Sequence, residues 1–247
     1  MIPYERHEAI MNLLREKKYV RTEQLSKALY VSVATIRRDL TEMEKNGFVS
    51  GGARVIEEPK DRPVEYMVEE NVRKKKHIAR LASRYLRDDQ RISLDAGSTV
   101  LQLCPYFERY NNLNVLTNGL YTALELMKID SVNVHLLGGN LNKILLDTKG
   151  TDTMSQIGMH HSDIAFISCR GITARGSFDP NDDETAVKRA FAENSTKVVL
   201  FADSSKFNKT FLNVSLGYDV IDAIISDAPF PEDIQEVCRN KNVEMLW

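Results

Sequence analysis

Apolar positions near the start of the chain recur at intervals of three and four. Ala9, Ile10, Leu13 and Leu14 share one helical face and leave Arg6, Glu8, Arg15 and Glu16 elsewhere, which predicts a helix over 4–16. Lys17-Lys18-Tyr19 breaks that pattern. A second helix begins at Thr22, whose hydroxyl can cap it, and points Leu25, Ala28 and Leu29 inward. Tyr30-Val31 makes a short turn. Ser32 can then cap a third helix, whose Ile36, Leu40 and Met43 form a buried stripe. Asn46-Gly47 ends it, with glycine free to turn left-handed. Phe48 to Ile56 reads as two short strands about Gly51-Gly52. Helix, turn, helix, turn, helix and a two-stranded wing together predict a winged helix-turn-helix over residues 1–56.

Residues 57–73 read as a linker. Pro59 and Pro63 stand among charges and keep the chain extended, and a helix can start from Val64. Lys74-Lys75-Lys76 is a charge run that reads as a solvated helix start in preference to a DNA contact. From residue 74 to 247 strands and helices alternate. Ile78, Leu81, Ala82 and Tyr85 mark a helix, Arg91–Asp95 a strand, and Val100, Leu103 and Phe107 a helix. The strand Val115–Thr117, the helix Tyr121–Lys128 and the strand Val132–Leu137 follow, then the apolar runs Ile164–Ser168, Val198–Ala202 and Ala223–Ser226. Such alternation predicts a Rossmann-like α/β domain, a mostly parallel sheet covered on both faces.

A length of 247 residues suits two domains, and 43% apolar with 28% charged residues suits packed cores. The formal charge is −2, unevenly spread. Residues 1–56 hold ten Lys/Arg against seven Asp/Glu, while the rest holds 23 against 28. A mildly basic head on an acidic body suits a head that meets phosphates. Cys104, Cys169 and Cys238 are widely spaced, with no disulfide frame or zinc pattern, and read as small buried residues. The N-terminus lacks a signal core, and no apolar run approaches the ~18 residues of a membrane span, so a cytoplasmic protein away from membranes is expected. His160-His161 lacks metal-ligand spacing, and no cofactor motif occurs.

The third helix keeps Val33, Ala34, Thr35, Arg37 and Arg38 off its apolar stripe. Small residues at its start allow close approach to a base-pair edge, so Thr35 and Arg37 can reach bases while Arg38 holds phosphate. Thr22 and Ser32, at the starts of the second and third helices, complete the candidate DNA contacts. In the body, ligands of parallel sheets bind beyond the carboxyl ends of strands. Asp95, Gly97, Ser98 and Thr99 follow one strand and lead into a helix N-terminus that favours an anion, with Lys206 as the compensating cation. Thr117 and Asn118 offer groups for sugar hydroxyls, and Gly138 and Gly139 let a ligand approach the backbone. Glu184 and Lys188 sit on a helix after a further loop. Lys188 with Arg189 also fits a plain solvated face.

Val31-Ser32-Val33-Ala34-Thr35-Ile36-Arg37-Arg38-Asp39-Leu40, followed by Glu44, Gly47 and Gly51-Gly52-Ala53, resembles the DeoR-type helix-turn-helix. Leu94–Thr99, Leu116-Thr117-Asn118, Leu137-Gly138-Gly139, Asp163–Ser168 and Ala202–Phe207 resemble that family's effector domain. The resemblance implies a body similar in fold to ribose-5-phosphate isomerase and coenzyme A transferases. It also implies control of a carbohydrate operon, a phosphorylated-sugar effector, and assembly into dimers or tetramers on double-stranded operator DNA. Two departures stand out. The wing is shorter and less basic than the family's, because Val49-Ser50 runs straight into Gly51. In Cys169-Arg170-Gly171-Ile172, which places Gly171 at the site, Arg170 stands where a small residue is commoner. The competing expectation is a sugar-phosphate isomerase with a fused head, using Glu184 or Asp95 as base. A helix-turn-helix has no use in such an enzyme. A purely structural oligomer leaves the polar strand ends unexplained.

Overall fold

The computed structural model describes residues 3–17, 20–45, 48–50, 54–55 and 63–247. The break after the first helix, the glycine turn at Gly47, the wing tip at Gly51-Gly52 and linker residues 57–62 lie outside the described residues. The chain divides into two compact units, Met1–Glu69 and Glu70–Trp247.

In the first unit, α1 (Pro3–Lys17), α2 (Thr22–Leu29) and α3 (Val33–Lys45) precede the antiparallel pair β1 (Val49–Ser50) and β2 (Arg54–Val55), then α4 (Val64–Glu69). The expected stripes meet in one core: Ile10, Leu14, Leu25, Ile36, Leu40 and Met43 are buried together. Ala28, expected to face inward, is exposed. Thr22 does not cap α2. The cap position is Arg21, whose amide donates to Gln24 Oε1 at 3.0 Å, and Thr22 is the first helical residue. Ser32 does cap α3, its Oγ accepting from the Thr35 amide at 3.1 Å. α4, expected as the tail of a linker, packs on this unit. The Tyr66 ring lies 4.9 Å from that of Phe48, and its hydroxyl donates to Glu42 Oε1 at 3.2 Å.

The core of this unit also contains a charge pair. Arg6 donates through Nε and Nη2 to the two oxygens of Asp39, at 2.8 and 2.9 Å. Burial opposes ionisation of Asp39, which is 2% exposed, yet Arg6 and His7 hold its carboxyl below the usual range. Removing one partner of such a pair costs roughly 3–5 kcal/mol. Asp39→Ala is therefore expected to destabilise this unit by about that amount in denaturant titrations. A lowered carboxylate stabilises the fold above its unfolded pKa and loses that contribution as pH falls through the folded value. The variant should accordingly lose part of the acid sensitivity of the wild type.

The second unit opens with α5 (Val72–Ala82) and β3 (Arg91–Leu94). A 3₁₀ stretch (Val100–Arg109), containing Pro105, then leads to β4 (Leu113–Thr117). An α-helix was expected there, but proline lacks the amide that an α-helix interior needs. α6 (Leu120–Leu126), β5 (Val132–Leu136), the hairpin β6 (Asn140–Asn142) and β7 (Asp147–Lys149), α7 (Thr151–Gly158) and β8 (Ile164–Ser168) come next. Then follow β9 (Gly171–Thr173), β10 (Gly176–Asp179), α8 (Asp182–Glu193), β11 (Val198–Phe201), β12 (Asn213–Val214), β13 (Ala223–Ile225), α9 (Glu232–Lys241) and β14 (Glu244–Leu246). Seven strands form one parallel sheet in the order β14-β13-β11-β8-β3-β4-β5. Every residue of β8 and β11 is buried, as strands covered on both faces require. The antiparallel β12-β10-β9 sheet and the β6-β7 hairpin lie outside the alternating pattern. Register aligns Leu94 with Thr117 and Phe166, and Phe201 with Ser168. The loops that begin at Asp95, Asn118, Cys169 and Ala202 therefore leave the sheet at one end.

Candidate functional site

On the first unit, the start of α3 is fixed by Ser32, whose Oγ also lies 2.8 Å from Thr35 Oγ1. Ala34, Arg37 and Arg38 are exposed, while Val33 and Thr35 are half-buried. The turn before α3 depends on Tyr30, which takes a left-handed φ of 55° while Ser26 Oγ donates to the Val31 carbonyl at 2.6 Å. The Tyr30 ring is 95% exposed beside this face. Sequence patterning treated it only as a turn residue. The available signal was an aromatic with only Lys27 and Ser26 three and four positions before it.

On the second unit, Asp95 Oδ2 accepts from both the amide and Oγ of Ser168, each at 3.0 Å, so the first loop is tied to β8. Gly97 lies directly over that contact: an added Cβ would stand 1.8 Å from Ser168 Oγ and would push that hydroxyl off Asp95. Ser98, next along, receives a hydrogen bond from Lys75 Nζ at 2.9 Å.

Lys75 corrects the expectation of a solvated lysine run. It is 4% exposed. Burial, then the nearby cations Lys206 and Arg170, pull its pKa from 10.5 to about 8, against the opposing charges of Glu70 and Asp203. The preceding residue, Lys74, donates to Ser204 Oγ at 2.7 Å and lies 3.6 Å from Asp227 Oδ2. Ser204 and Lys206 belong to a short turn that Asp203 caps by accepting from the Ser205 amide at 3.0 Å. Ser98, Lys206 and Arg170 thus converge on a buried ammonium. Like charges gathered around one buried cation are relieved by an anion, and the hydroxyl of Ser98 suits a phosphate oxygen.

The remaining expected residues divide. Thr117 and Asn118 are buried and their polar groups are engaged. Thr117 Oγ1 accepts from the Gly119 amide at 3.1 Å. Asn118 accepts from the Ala96 amide at 3.2 Å and donates to the Thr148 carbonyl at 3.0 Å. They lace three loops together rather than present free groups. The Gly138 amide donates to Gln156 Oε1 at 3.0 Å, and at Gly139 φ is 142° with Thr153 Oγ1 2.1 Å from an added Cβ. This pair lets β5 turn tightly against α7. Gly171 leaves room for the Lys209 carbonyl, 2.2 Å from where a Cβ would stand.

Lys188 is no solvated residue. Buried, it donates to Asp179 Oδ1 at 2.6 Å. Burial disfavours its charge, but Asp179, Asp95 and Glu184 outweigh that and raise its pKa. Its neighbour Arg189 donates to the Ser215 carbonyl at 3.0 Å. Glu184 is half-buried and accepts from Asn181 Nδ2 at 2.9 Å. One carboxyl in this neighbourhood went unnoticed in the sequence. Asp147, on β7, is pushed up to about 7 by burial and by the charges of Glu184 and Asp95. The strand ends and the hairpin therefore offer a cationic group, Lys75, Lys206 and Arg170 beside Ser98, and a second group in which Asp95, Asp147 and Glu184 stand around the Lys188 ammonium. A ligand with an anionic end and a hydroxylated body matches that division.

Comparison with known proteins agrees with both halves. The family of the DeoR-like helix-turn-helix domain matches residues 6–59, and that of the DeoR C terminal sensor domain matches residues 70–228. The HTH-type transcriptional regulator GolR of Listeria innocua is 33% identical over 232 residues, covering 92% of this chain and 91% of that protein. The glycerol-3-phosphate regulon repressor of Escherichia coli is 29% identical over 246 residues, covering 98% and 97%. Among solved structures, ribose 5-phosphate isomerase from Plasmodium falciparum is a looser neighbour, 17% identical with a TM-score of 0.39 over 55% of this chain and 52% of that one.

Proposed function

The chain belongs to the DeoR family of transcriptional regulators, and from that membership we propose that it represses a carbohydrate-utilisation operon and lets go of its operator when a phosphorylated sugar binds the sensor domain. Thr35 and Arg37 read base edges in the major groove, and Arg38, Thr22 and Tyr30 hold the backbone. The effector phosphate sits at Gly97, Ser98 and Thr99 with Lys75 and Lys206 as its cations. The sugar hydroxyls meet the acidic group around Glu184. Two or four copies act together in the cytoplasm, so that recognition helices reach repeated half-sites. The observation that carries the sensor assignment is the buried Lys75 ammonium on Ser98 with Lys206 and Arg170 beside it. Release follows if the effector prefers one of two states of the assembly, since only differential affinity shifts an equilibrium.

A thermal-stability screen of triose, pentose and hexose phosphates tests this. A true effector at a hundred times its dissociation constant should add about 2.7 kcal/mol of stability, and its unphosphorylated sugar far less. The stabilising compound should also release operator DNA in a gel-shift titration. The protein is expected not to turn over its ligand. Ribose 5-phosphate followed by NMR should yield no ketose, and turnover that disappears in Glu184→Gln would instead establish an isomerase.

A further inference from the structure

We infer that the cleft at the amino ends of β3, β8 and β11 binds a small dianion, a phosphate ester or a dicarboxylate, at a site separate from the effector site. These three strands are neighbours in the sheet. Register sets Ile92 beside Ile164 and Val198 beside Ala165, so the segments that enter the strands meet at one end. Between them lies a cavity of about 390 Å³, lined by the buried Leu86 and Ile164 and by Arg84, Tyr85, Arg87 and Lys197. Small-molecule sites typically enclose ~300–1,000 Å³. The effector loops leave from the other end of the sheet. β3 is four residues long, so its two ends stand roughly 13 Å apart at ~3.3 Å per residue.

The charges of the cavity point to an anion. Among the described residues, neither Arg84, Arg87 nor Lys197 has an ion pair. The carboxylates nearby are engaged elsewhere. Asp163 also lines the cavity, but it accepts from Arg91 Nη2 at 2.7 Å and from the Arg91 amide at 2.8 Å. Arg91, and more weakly Arg87, hold its carboxyl below the usual range. Asp88 accepts from the Asn111 amide and Asp89 from Asn112 Nδ2, each at 2.7 Å. Glu244 accepts from the Tyr85 hydroxyl at 2.6 Å. A surplus of positive charge remains, and a concave site with apolar walls concentrates its attraction for an anion.

The walls are braced by hydrogen bonds of their own. Gln90, 2% exposed, ties the turn that carries both arginines: its Oε1 accepts from the Arg87 amide and its Nε2 donates to the Tyr85 carbonyl, each at 3.2 Å. Lys197 Nζ lies 4.6 Å from the centroid of the Tyr85 ring, which Glu244 anchors through the hydroxyl. Burial and that hydrogen bond push the Tyr85 hydroxyl up, so it stays neutral and adds no negative charge. Two planar guanidiniums and one ammonium offer several donors, as phosphate and paired carboxylate oxygens require.

Calorimetry of the full chain at low salt, with inorganic phosphate and succinate as probes, tests this. The background is Lys75→Met with Lys206→Ala, which strips the cations proposed for the effector phosphate. At least one probe should still bind there. Adding Arg84→Ala with Arg87→Ala, both exposed side chains that the fold can lose, should weaken that binding by about tenfold or more. Lys197→Met should act in the same direction. Binding of phosphate alone assigns a phosphate ester, of succinate alone a dicarboxylate, and of both the shared dianion chemistry. No binding of either probe, or binding that survives loss of both arginines, overturns the inference. Hydrogen exchange checks it independently: in the unmodified chain the bound probe should slow amides 84–90 and 196–198, and unchanged exchange there overturns it. The effector prediction is read from Lys75→Met with a sugar phosphate and this one from the arginine pair, so the two fail separately.

Discussion

A chain carrying Arg37→Ala and Arg38→Ala is expected to lose specific operator binding while its sensor domain still responds to the sugar phosphate. Both side chains are exposed on α3, away from the stripe of Ile36, Leu40 and Met43, so the fold should change by no more than about 0.5 kcal/mol. A bidentate arginine contact to a base edge contributes roughly 1–3 kcal/mol of discrimination. With two heads on one operator the loss doubles, to about 30-fold to 10⁴-fold in affinity. Salt dependence separates the two residues. Each phosphate contact removed should flatten the plot of log affinity against log salt by ~0.9, whereas loss of the base contact leaves that slope alone. Arg38→Ala alone should therefore change the slope, and Arg37→Ala alone the preference among operator sequences. Unchanged operator affinity in a gel-shift titration of the double variant would remove α3 from the interface.

The second large effect is expected at Lys75. Lys75→Met keeps the length of the side chain and deletes its charge. A charge-assisted hydrogen bond contributes roughly 1.5–3 kcal/mol, so calorimetry should find the sugar phosphate bound about ten- to a hundredfold more weakly. Lys206→Ala should act in the same direction. The free protein should change little in stability with Met at 75, because the substitution removes the cost of a buried cation that Lys206 and Arg170 oppose along with its hydrogen bond to Ser98 and the attraction of Glu70 and Asp203. Weaker binding with little change in stability is a combination that a merely structural lysine does not produce.

Acidity gives a further signature. With its pKa lowered from 10.5 to about 8, Lys75 carries fewer protons when folded than unfolded between those values. Its contribution to stability therefore rises with pH across that window, the reverse of a lysine that gains a partner. A bound phosphate favours the charged ammonium, so effector affinity should fall as pH rises past about 8, and Lys75→Met should lose that fall. Equal binding of the phosphorylated effector by Lys75→Met and wild type would place the phosphate elsewhere.

Lys75 also shows how much of the site was legible. Lys74-Lys75-Lys76 looks like a solvated run when charge alone is counted. Helical spacing says otherwise: residues 75, 78, 79 and 82 share one face, and all four are buried. Asp39 lies among Ile36, Leu40 and Met43 in the same way, and Lys188 among Val187 and Phe191. Each of these charges stands on an apolar stripe, and the stripe was the signal. Thr117 and Asn118 err in the opposite sense. Their type and place at a strand end suit a sugar, but in the fold their groups hold Gly119, Ala96 and Thr148.

Local physics let the sequence by itself determine the three helices of the head, the exposed start of α3 and the alternation that makes a parallel sheet. Helical and strand periods are set by backbone geometry, and which side chains turn inward follows from them. The glycine at Gly97 and the hydroxyl at Ser98 were legible for the same reason, because a strand-to-helix turn is a local event. Only the tertiary structure decided the partners. Asp39 meets Arg6 across 33 residues, Lys75 meets Ser98 across 23, and Asp147 comes near Glu184 and Asp95 from a hairpin that follows no period. A stripe states that a charged side chain is buried but not what neutralises it. That depends on which strands lie side by side and in what register, and the order β8-β3-β4 that gathers Ser168, Asp95 and Asn118 at one end of the sheet is fixed by packing between segments distant in the chain.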